Sequence, residues 1–372
     1  MADAAAEALA RTLHRIGAAR ARIFAGWLAV VLGLSGCAKH APLADPAVPL
    51  TPPTRLCSTD EAPPACRSAG QLERSMSGPT ELLGVAPTPG GTQGAKILTL
   101  QTKVGRGSIV FREKWRPQSS ADIINEPRKE LAAYAVQKLF LDDAELVIPP
   151  TVAHCFPLME YRNFVPEASA TFDGSDCVFG FASYWLESVK TAKSAREDGL
   201  LAAGVGAWDP NLFESDRLYR RSISHTNLLT YLINHGDAHN EQFVLEQTTR
   251  GVRTYVVDNS IAFRSIKNPM LLFREDWSKV RVPLLPRRTV ERLQALTDED
   301  FARLAIVVEL ERRGADLVSV APTPVTSASD GKALAWAGDH LRIGLTPGEI
   351  ELVHSRVRDL LARPDLESIV DR

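Results

Sequence analysis

The chain has 372 residues, 45% of them hydrophobic, enough for one large domain or for two lobes with cores of their own. Its 43 basic residues against 45 acidic ones leave a net charge of −2, so no basic excess points to nucleic acid as a partner.

Residues 23–34, IFAGWLAVVLGL, form an uncharged apolar run too short to span a bilayer, preceded by Arg11, Arg15, Arg20 and Arg22. Residues 1–36 therefore read as a signal peptide. The tetrapeptide Leu34-Ser35-Gly36-Cys37 resembles the lipobox of bacterial lipoproteins. That resemblance implies a diacylated Cys37 as first mature residue, a membrane partner through the lipid anchor, and a place in the bacterial cell envelope. Ala38 after the cysteine favours the outer membrane, facing the periplasm or the cell surface. Removing Cys37 leaves Cys57, Cys66, Cys155 and Cys177, an even number in an oxidising compartment. Cys57 with Cys66 and Cys155 with Cys177 is the local choice among three pairings. A zinc site is the competing reading, without Cys-x-x-Cys spacing to support it.

Residues 37–94 are rich in Pro, Thr, Ser and Gly (PLADPAVPLTPPTR, GVAPTPGGTQG), a composition expected to form a disordered tether. The globular body is expected from Ala95 onward. Two strands at residues 97–100 and 108–111 flank a turn with Gly105 and Gly107, and Lys114 follows. A glycine hairpin lets backbone N–H groups approach an anion, and a lysine adds a point charge to phosphate. Asn125 suits an N-cap and Pro127 a first turn, and Leu131, Ala135, Val136, Leu139 and Phe140 form a helical stripe with Glu130 near its start. Residues 146–151, LVIPPT, read as a buried strand ending in a rigid turn. Residues 178–189 read as a buried strand running into a connector at Glu187-Ser188-Val189, and residues 218–233 as a helix.

Residues 242–247 and 252–257 are β-type runs around Thr248-Thr249-Arg250-Gly251, a hairpin connection. Antiparallel pairing about that turn brings residue 242 beside residue 257 and so sets Asp258 next to the loop with Asp237 and Glu241. His239, Asn240 and Gln242 lie between the two aspartates. Such a cluster of hard oxygen ligands suits Mg²⁺ completed by phosphate oxygens. Beyond residue 263 helices are expected at 289–296, 298–313 and 346–361, with cap-plus-acid starts at Thr297 and Thr346 and a flexible connection over 318–330.

The succession KELAAYAVQKLF…LVIPPT, LINHGDAHNEQFVL and VVDNSIAF resembles the atypical kinase fold shared by type II phosphatidylinositol 4-kinases, the HipA toxins and the secreted protein kinases of the Golgi lumen. The resemblance spans roughly residues 95–273. It implies an α+β, two-lobed protein-kinase-like fold: a small β-rich N-lobe with one main helix at 95–189, and a larger, mostly helical C-lobe at 190–372. In those families a strand lysine and a helix glutamate pair over the ATP phosphates, a loop aspartate is catalytic, and a second aspartate holds metal. Carried over, these are Lys114, Glu130, Asp237 and Asp258. His239 joins Asp237 among the catalytic candidates, Gln242 and Asn240 join Asp258 as metal ligands, and Gly105, Gly107 and Glu187 belong to the nucleotide side, Glu187 in the connector that would meet adenine. One position departs from the pattern: Gln242 stands where these relatives often carry Asn.

The implied activity is phosphoryl transfer from ATP, with Mg²⁺ or Mn²⁺, to a lipid or protein hydroxyl. Two alternatives are weighed beside it. One is a catalytically inactive, pseudokinase-like lipoprotein acting as a binding module. The other is a metal-dependent hydrolase centred on His235, Asp237 and His239, with His154 or His225 completing the ligands.

Overall fold

The computed structural model describes residues 53–57, 66–89, 94–118, 126–264, 276–323 and 332–370, all within the unit Pro49–Arg372. The expected signal peptide, Cys37 and Asn125 lie outside these residues. Five strands form the largest sheet: β1 (Glu81–Pro87), β2 (Lys96–Val104), β3 (Gly107–Pro117), β4 (Thr151–Pro157) and β5 (Cys177–Tyr184), antiparallel in the order β1-β2-β3-β5-β4. A three-stranded sheet follows, with β6 (Val189–Thr191), β7 (Phe243–Thr248) and β8 (Gly251–Val256) in the order β8-β7-β6. Four more strands, β9 (Val308–Arg313), β10 (Asp316–Val320), β11 (Leu334–Ala337) and β12 (His340–Ile343), make a third antiparallel sheet in the order β10-β9-β12-β11. The fold is thus mixed α+β with antiparallel sheets.

Period-2 alternation along β3 decides what each face of the large sheet does. Phe111, Glu113 and Trp115 point to one face and are fully buried. Helix α1 (Ala69–Ser77) covers that side, its Leu72 and Met76 sharing a core with Leu98, Leu100 and Trp115. Lys114 points the other way, in a row with Ser183 and Thr151 set by the strand register. Along this second face Ala153, Phe179 and Phe181 pack with Leu310, Leu317, Leu341 and Ile343 of the third sheet, and Leu131 of helix α2 (Arg128–Gln137) joins them.

The hairpin register agrees with the pattern of the sequence. Phe243 pairs with Val256, and the Val257 N–H donates to the Gln242 carbonyl at 2.9 Å. Helix α3 (Arg217–Leu232) runs into the Asp237 loop as expected, and both local disulfides, Cys57–Cys66 and Cys155–Cys177, are formed.

Four expectations need correction. The tether does not continue to residue 94: Ser68 and Gln71 form a capping box that starts α1, and β1 is an edge strand of the main sheet. Half-exposed edge pairing leaves little trace in a Pro- and Thr-rich stretch, because the stabilising partners are distant in sequence. The 146–150 segment is buried but is no strand. Gln137 replaces the ladder there, its Oε1 accepting from the Val147 and Ile148 N–H groups at 2.8 and 2.9 Å and its Nε2 donating to the Ile148 carbonyl at 3.0 Å. The expected helix at 298–313 stops at Ala302, and the β-branched Ile306-Val307-Val308 leads into β9. Part of the expected flexible connection is strand β10, reached through Gly314 at φ +67°. The region after residue 263 is therefore partly a sheet and not an all-helical shell. Helix α4 (Pro347–Leu361) does start at the Thr346–Glu349 capping box.

Candidate functional site

A cavity of about 500 Å³ opens between the second face of the large sheet and the β6–β8 sheet. Lys114, Glu130, Asp237, Gln242, Asp258 and Asn259 line its polar end, and Ile148, Val189, Val244 and Val256 contribute apolar wall.

Each polar group is placed by a different element. Lys114 lies within β3, on the face opposite the buried Glu113 and Trp115. Its Nζ is 3.3 Å from Glu130 Oε1 and 3.1 Å from Asp258 Oδ1. Glu130, in the first turn of α2, uses its second oxygen to accept from the Asn259 N–H at 2.9 Å. Asp258 follows β8 with φ +63°, a left-handed conformation that Asp tolerates better than most residues. The turn after it is tied on two sides: Gly236 N–H donates to the Ile261 carbonyl at 3.1 Å, and Glu126 N–H to the Ser260 carbonyl at 3.1 Å. Asp237 is thereby fixed relative to Asp258. Gln242 Nε2 donates to Asp237 Oδ2 at 3.3 Å and so orients the aspartate.

Electrostatics follow from this packing. Burial alone would lower the Lys114 pKa, but Glu130 and Asp258 reverse the shift and raise it, so the ammonium persists. Burial alone would raise the Asp258 pKa, and the Lys114 charge and hydrogen bond carry it below the ordinary carboxylate value. His235, fully buried at the base of the loop, is pushed down to about 4 by burial and is a neutral imidazole whose Nδ1 accepts from the Asp237 N–H at 3.2 Å.

Other expected site residues fall elsewhere. Gly105 and Gly107 form the tip of the β2–β3 turn and do not line the cavity. The β1–β2 connection does, through Thr88, Pro89 and Ala95, with Gly94 at φ +73°. The signal for it was the Pro-Gly-Gly-Thr-Gln-Gly run, hidden inside what reads as a tether. Glu187 is held by Arg112, whose Nε donates to it at 2.8 Å, while Tyr184, Trp185 and Leu186 present the connector to the cavity. Asn240 is a structural anchor and not a free ligand, because its Oδ1 accepts from Ala207 N–H at 3.0 Å and Trp277 Nε1 at 3.2 Å. His239 begins the 3-10 turn Asn240–Gln242, its Nδ1 accepting from Glu241 N–H at 3.1 Å and its Nε2 lying 3.7 Å from Asp237.

Among the described residues no group of three or more His, Cys, Asp or Glu side chains converges as a metal cage. His154 lies on the α1 side of the sheet near Glu113, and His225 Nε2 is 2.9 Å from Thr289 Oγ1, so neither joins His235. A metal carried on phosphates needs only one or two carboxylates from the protein. Asn259 makes the site fit such a group: it is fully buried in the cavity wall, yet neither Oδ1 nor Nδ2 has a hydrogen-bond partner. An orphaned amide beside an aspartate is costly unless a ligand satisfies it. Comparison with protein-family models and with curated proteins finds no match for the chain.

Proposed function

We propose that this chain is a kinase-like phosphotransferase of two-lobed design, binding a nucleoside triphosphate with Mg²⁺ or Mn²⁺ in the cleft and transferring a phosphoryl group to a hydroxyl of a lipid or protein. The observation that carries the reading is the Lys114 ammonium held between Glu130 and Asp258 across the cleft from Asp237. Phosphoryl transfer asks a protein mainly for positioned charge. Lys114 would neutralise the phosphates that stay behind, with Glu130 fixing its ammonium. Asp258 and Asn259 would hold the divalent cation, which supplies neutralisation of the phosphate oxygens when bound. Asp237, steadied by Gln242, would orient the acceptor hydroxyl and receive its proton.

Charge count makes the metal a requirement of this reading. Lys114 and Arg116 face Glu130, Asp237, Glu241 and Asp258 in the cavity wall, two cations against four carboxylates. A polyanionic nucleotide alone meets net repulsion there. Titration of ATP into the intact chain, followed by melting temperature, is expected to show stabilisation only with Mg²⁺ or Mn²⁺ present, and none in Asp258→Asn. Lack of any shift at millimolar nucleotide, with the chain folded, would leave the pseudokinase-like binding module as the better account.

The lipobox resemblance extends the proposal to location: a catalytic body held at an envelope membrane by acylated Cys37. Cys37→Ser is expected to move the chain from the membrane fraction to the soluble one on expression in a bacterium. Retention of the variant in the membrane fraction would refute the anchor.

A further inference from the structure

Helix α2, which carries Glu130, begins with two cations where cations are least welcome. Arg128 and Lys129 are its first two residues, at the positive end of the helix dipole. Both are nonetheless withdrawn from water, with 11% and 2% of their side chains exposed. Their charges are met by Glu349 in the first turn of α4, 221 positions away from Arg128. Arg128 grips it with a fork, Nη2 to Oε1 at 2.9 Å and Nη1 to Oε2 at 3.1 Å, and Lys129 Nζ lies 3.5 Å from Oε1. Arg128 Nη1 also donates to the Gly344 carbonyl at 3.2 Å.

Glu126 completes the cluster. It lies 2.9 Å from Lys129 Nζ, 2.5 Å from Arg128 Nη2 and 3.3 Å from Arg264 Nη2, and its own N–H reaches the Ser260 carbonyl at 3.1 Å. Glu349 is itself immobilised, accepting from Thr346 N–H at 2.9 Å and Thr346 Oγ1 at 3.1 Å. A buried fork of this kind fixes geometry more than it adds net stability, since desolvation cancels much of the attraction.

We infer that Glu349 is a positioning residue for the nucleotide site: from the C-terminal helix it sets the first turn of α2 and thereby holds Glu130 on Lys114. The inference rests on the reading of the cleft given above. Removing the Glu349 charge leaves Glu126 alone to face Arg128, Lys129 and Arg264, and the segment free to respond is the turn that contains Glu130. With Glu130 displaced, Lys114 keeps only its 3.1 Å contact to Asp258.

The test has two arms on the intact chain, both using Glu349→Gln. In the first, without nucleotide, competitive acylation of lysines at pH 9 is read by mass spectrometry. Lys114 is expected to label about tenfold faster in the variant, because Glu130 no longer occupies its ammonium, while exposed Lys193 stays unchanged. In the second, ATP with Mg²⁺ is expected to bind about tenfold more weakly, and Glu349→Gln is expected to add less than about twofold in a Glu130→Gln background, because the two act through one contact. Unchanged Lys114 labelling in a folded variant with intact nucleotide binding overturns the positioning role alone. A wild-type chain that binds no nucleotide overturns the cleft reading and this role with it, and the labelling arm then shows whether Glu349 still governs Lys114. If Glu349→Gln does not fold, Arg128→Gln carries the same expectations, since it loosens the same turn while leaving Lys129 two carboxylates.

Discussion

Lys114→Ala is expected to weaken metal-dependent nucleotide binding by at least about 100-fold, roughly 3 kcal/mol, and to abolish phosphoryl transfer. The size follows from what the ammonium faces. It is the nearest cation to two carboxylates, at 3.3 and 3.1 Å, and its side chain is only 24% exposed. Deleting it removes a charge aimed at phosphate and also leaves Glu130 and Asp258 as like charges beside the ligand. Asp258 should then lose the influence that holds its pKa down and titrate closer to its ordinary value. The sign follows: a carboxylate with a depressed folded pKa contributes stability that is present at neutral pH and disappears as pH falls through that pKa. The variant should therefore lose less stability on acidification than the wild type. Lys114→Arg retains charge but presents a planar fork instead of a compact ammonium, so it should restore part of the binding and little of the transfer. Calorimetric titration with ATP and Mg²⁺ together with a γ-phosphate transfer assay decides the matter. Binding in Lys114→Ala within about threefold of wild type would exclude the proposed role.

The same contacts show how far a sequence can be read toward its site. Asp258 was legible as a neighbour of the Asp237 loop, because antiparallel pairing about the turn at Thr248–Gly251 brings residue 242 beside residue 257, whereas its meeting with Lys114, 144 positions away, entered only through the resemblance. Glu130 was legible through the helical stripe behind it. The flap was not. Gly105 and Gly107 form a clear hairpin signal, but the turn they make extends beyond the cleft, and the segment that borders the cleft follows an edge strand inside a Pro-rich stretch. Which of two glycine turns faces a ligand depends on the partner strands, and pairing is non-local. Asn240 was misread for a related reason. An amide beside two aspartates suits a metal, and only the distant Trp277 and Ala207 show that its oxygen is already committed. The third sheet went unread because a run such as Val308–Arg313 alternates weakly enough to suit helix or strand, and packing against Phe179 and Phe181 selects the strand.

Asn227 is where loss of stability should be largest for a single polar substitution. It sits in the middle of α3, fully buried, and its amide serves four backbone groups of the Asp276–Val282 segment. Nδ2 donates to the carbonyls of Trp277 at 3.1 Å and Lys279 at 2.8 Å, and Oδ1 accepts from the N–H groups of Arg281 at 2.7 Å and Val282 at 3.1 Å. Asn227→Ala leaves the Arg281 and Val282 N–H groups and the Lys279 carbonyl without this partner, while Thr230 still donates to the Trp277 carbonyl, and it is expected to cost about 3 kcal/mol. Asn227→Asp keeps the acceptor half but opposes two carbonyls with a carboxylate, so it should be no better. The consequence reaches the cleft through Trp277, whose N–H donates to the Ala238 carbonyl at 3.1 Å and whose indole lies 4.9 Å from Phe243. Loosening that strap should blur the position of Asp237 while leaving Lys114 and Glu130 in place. In urea unfolding the variant should show a lower midpoint, and at temperatures where it remains folded it should bind metal-nucleotide within about threefold of wild type while transferring more slowly. A stability loss below about 1 kcal/mol would mean that water replaces the amide and that the strap is held by Thr230, which donates to the Trp277 carbonyl at 2.7 Å.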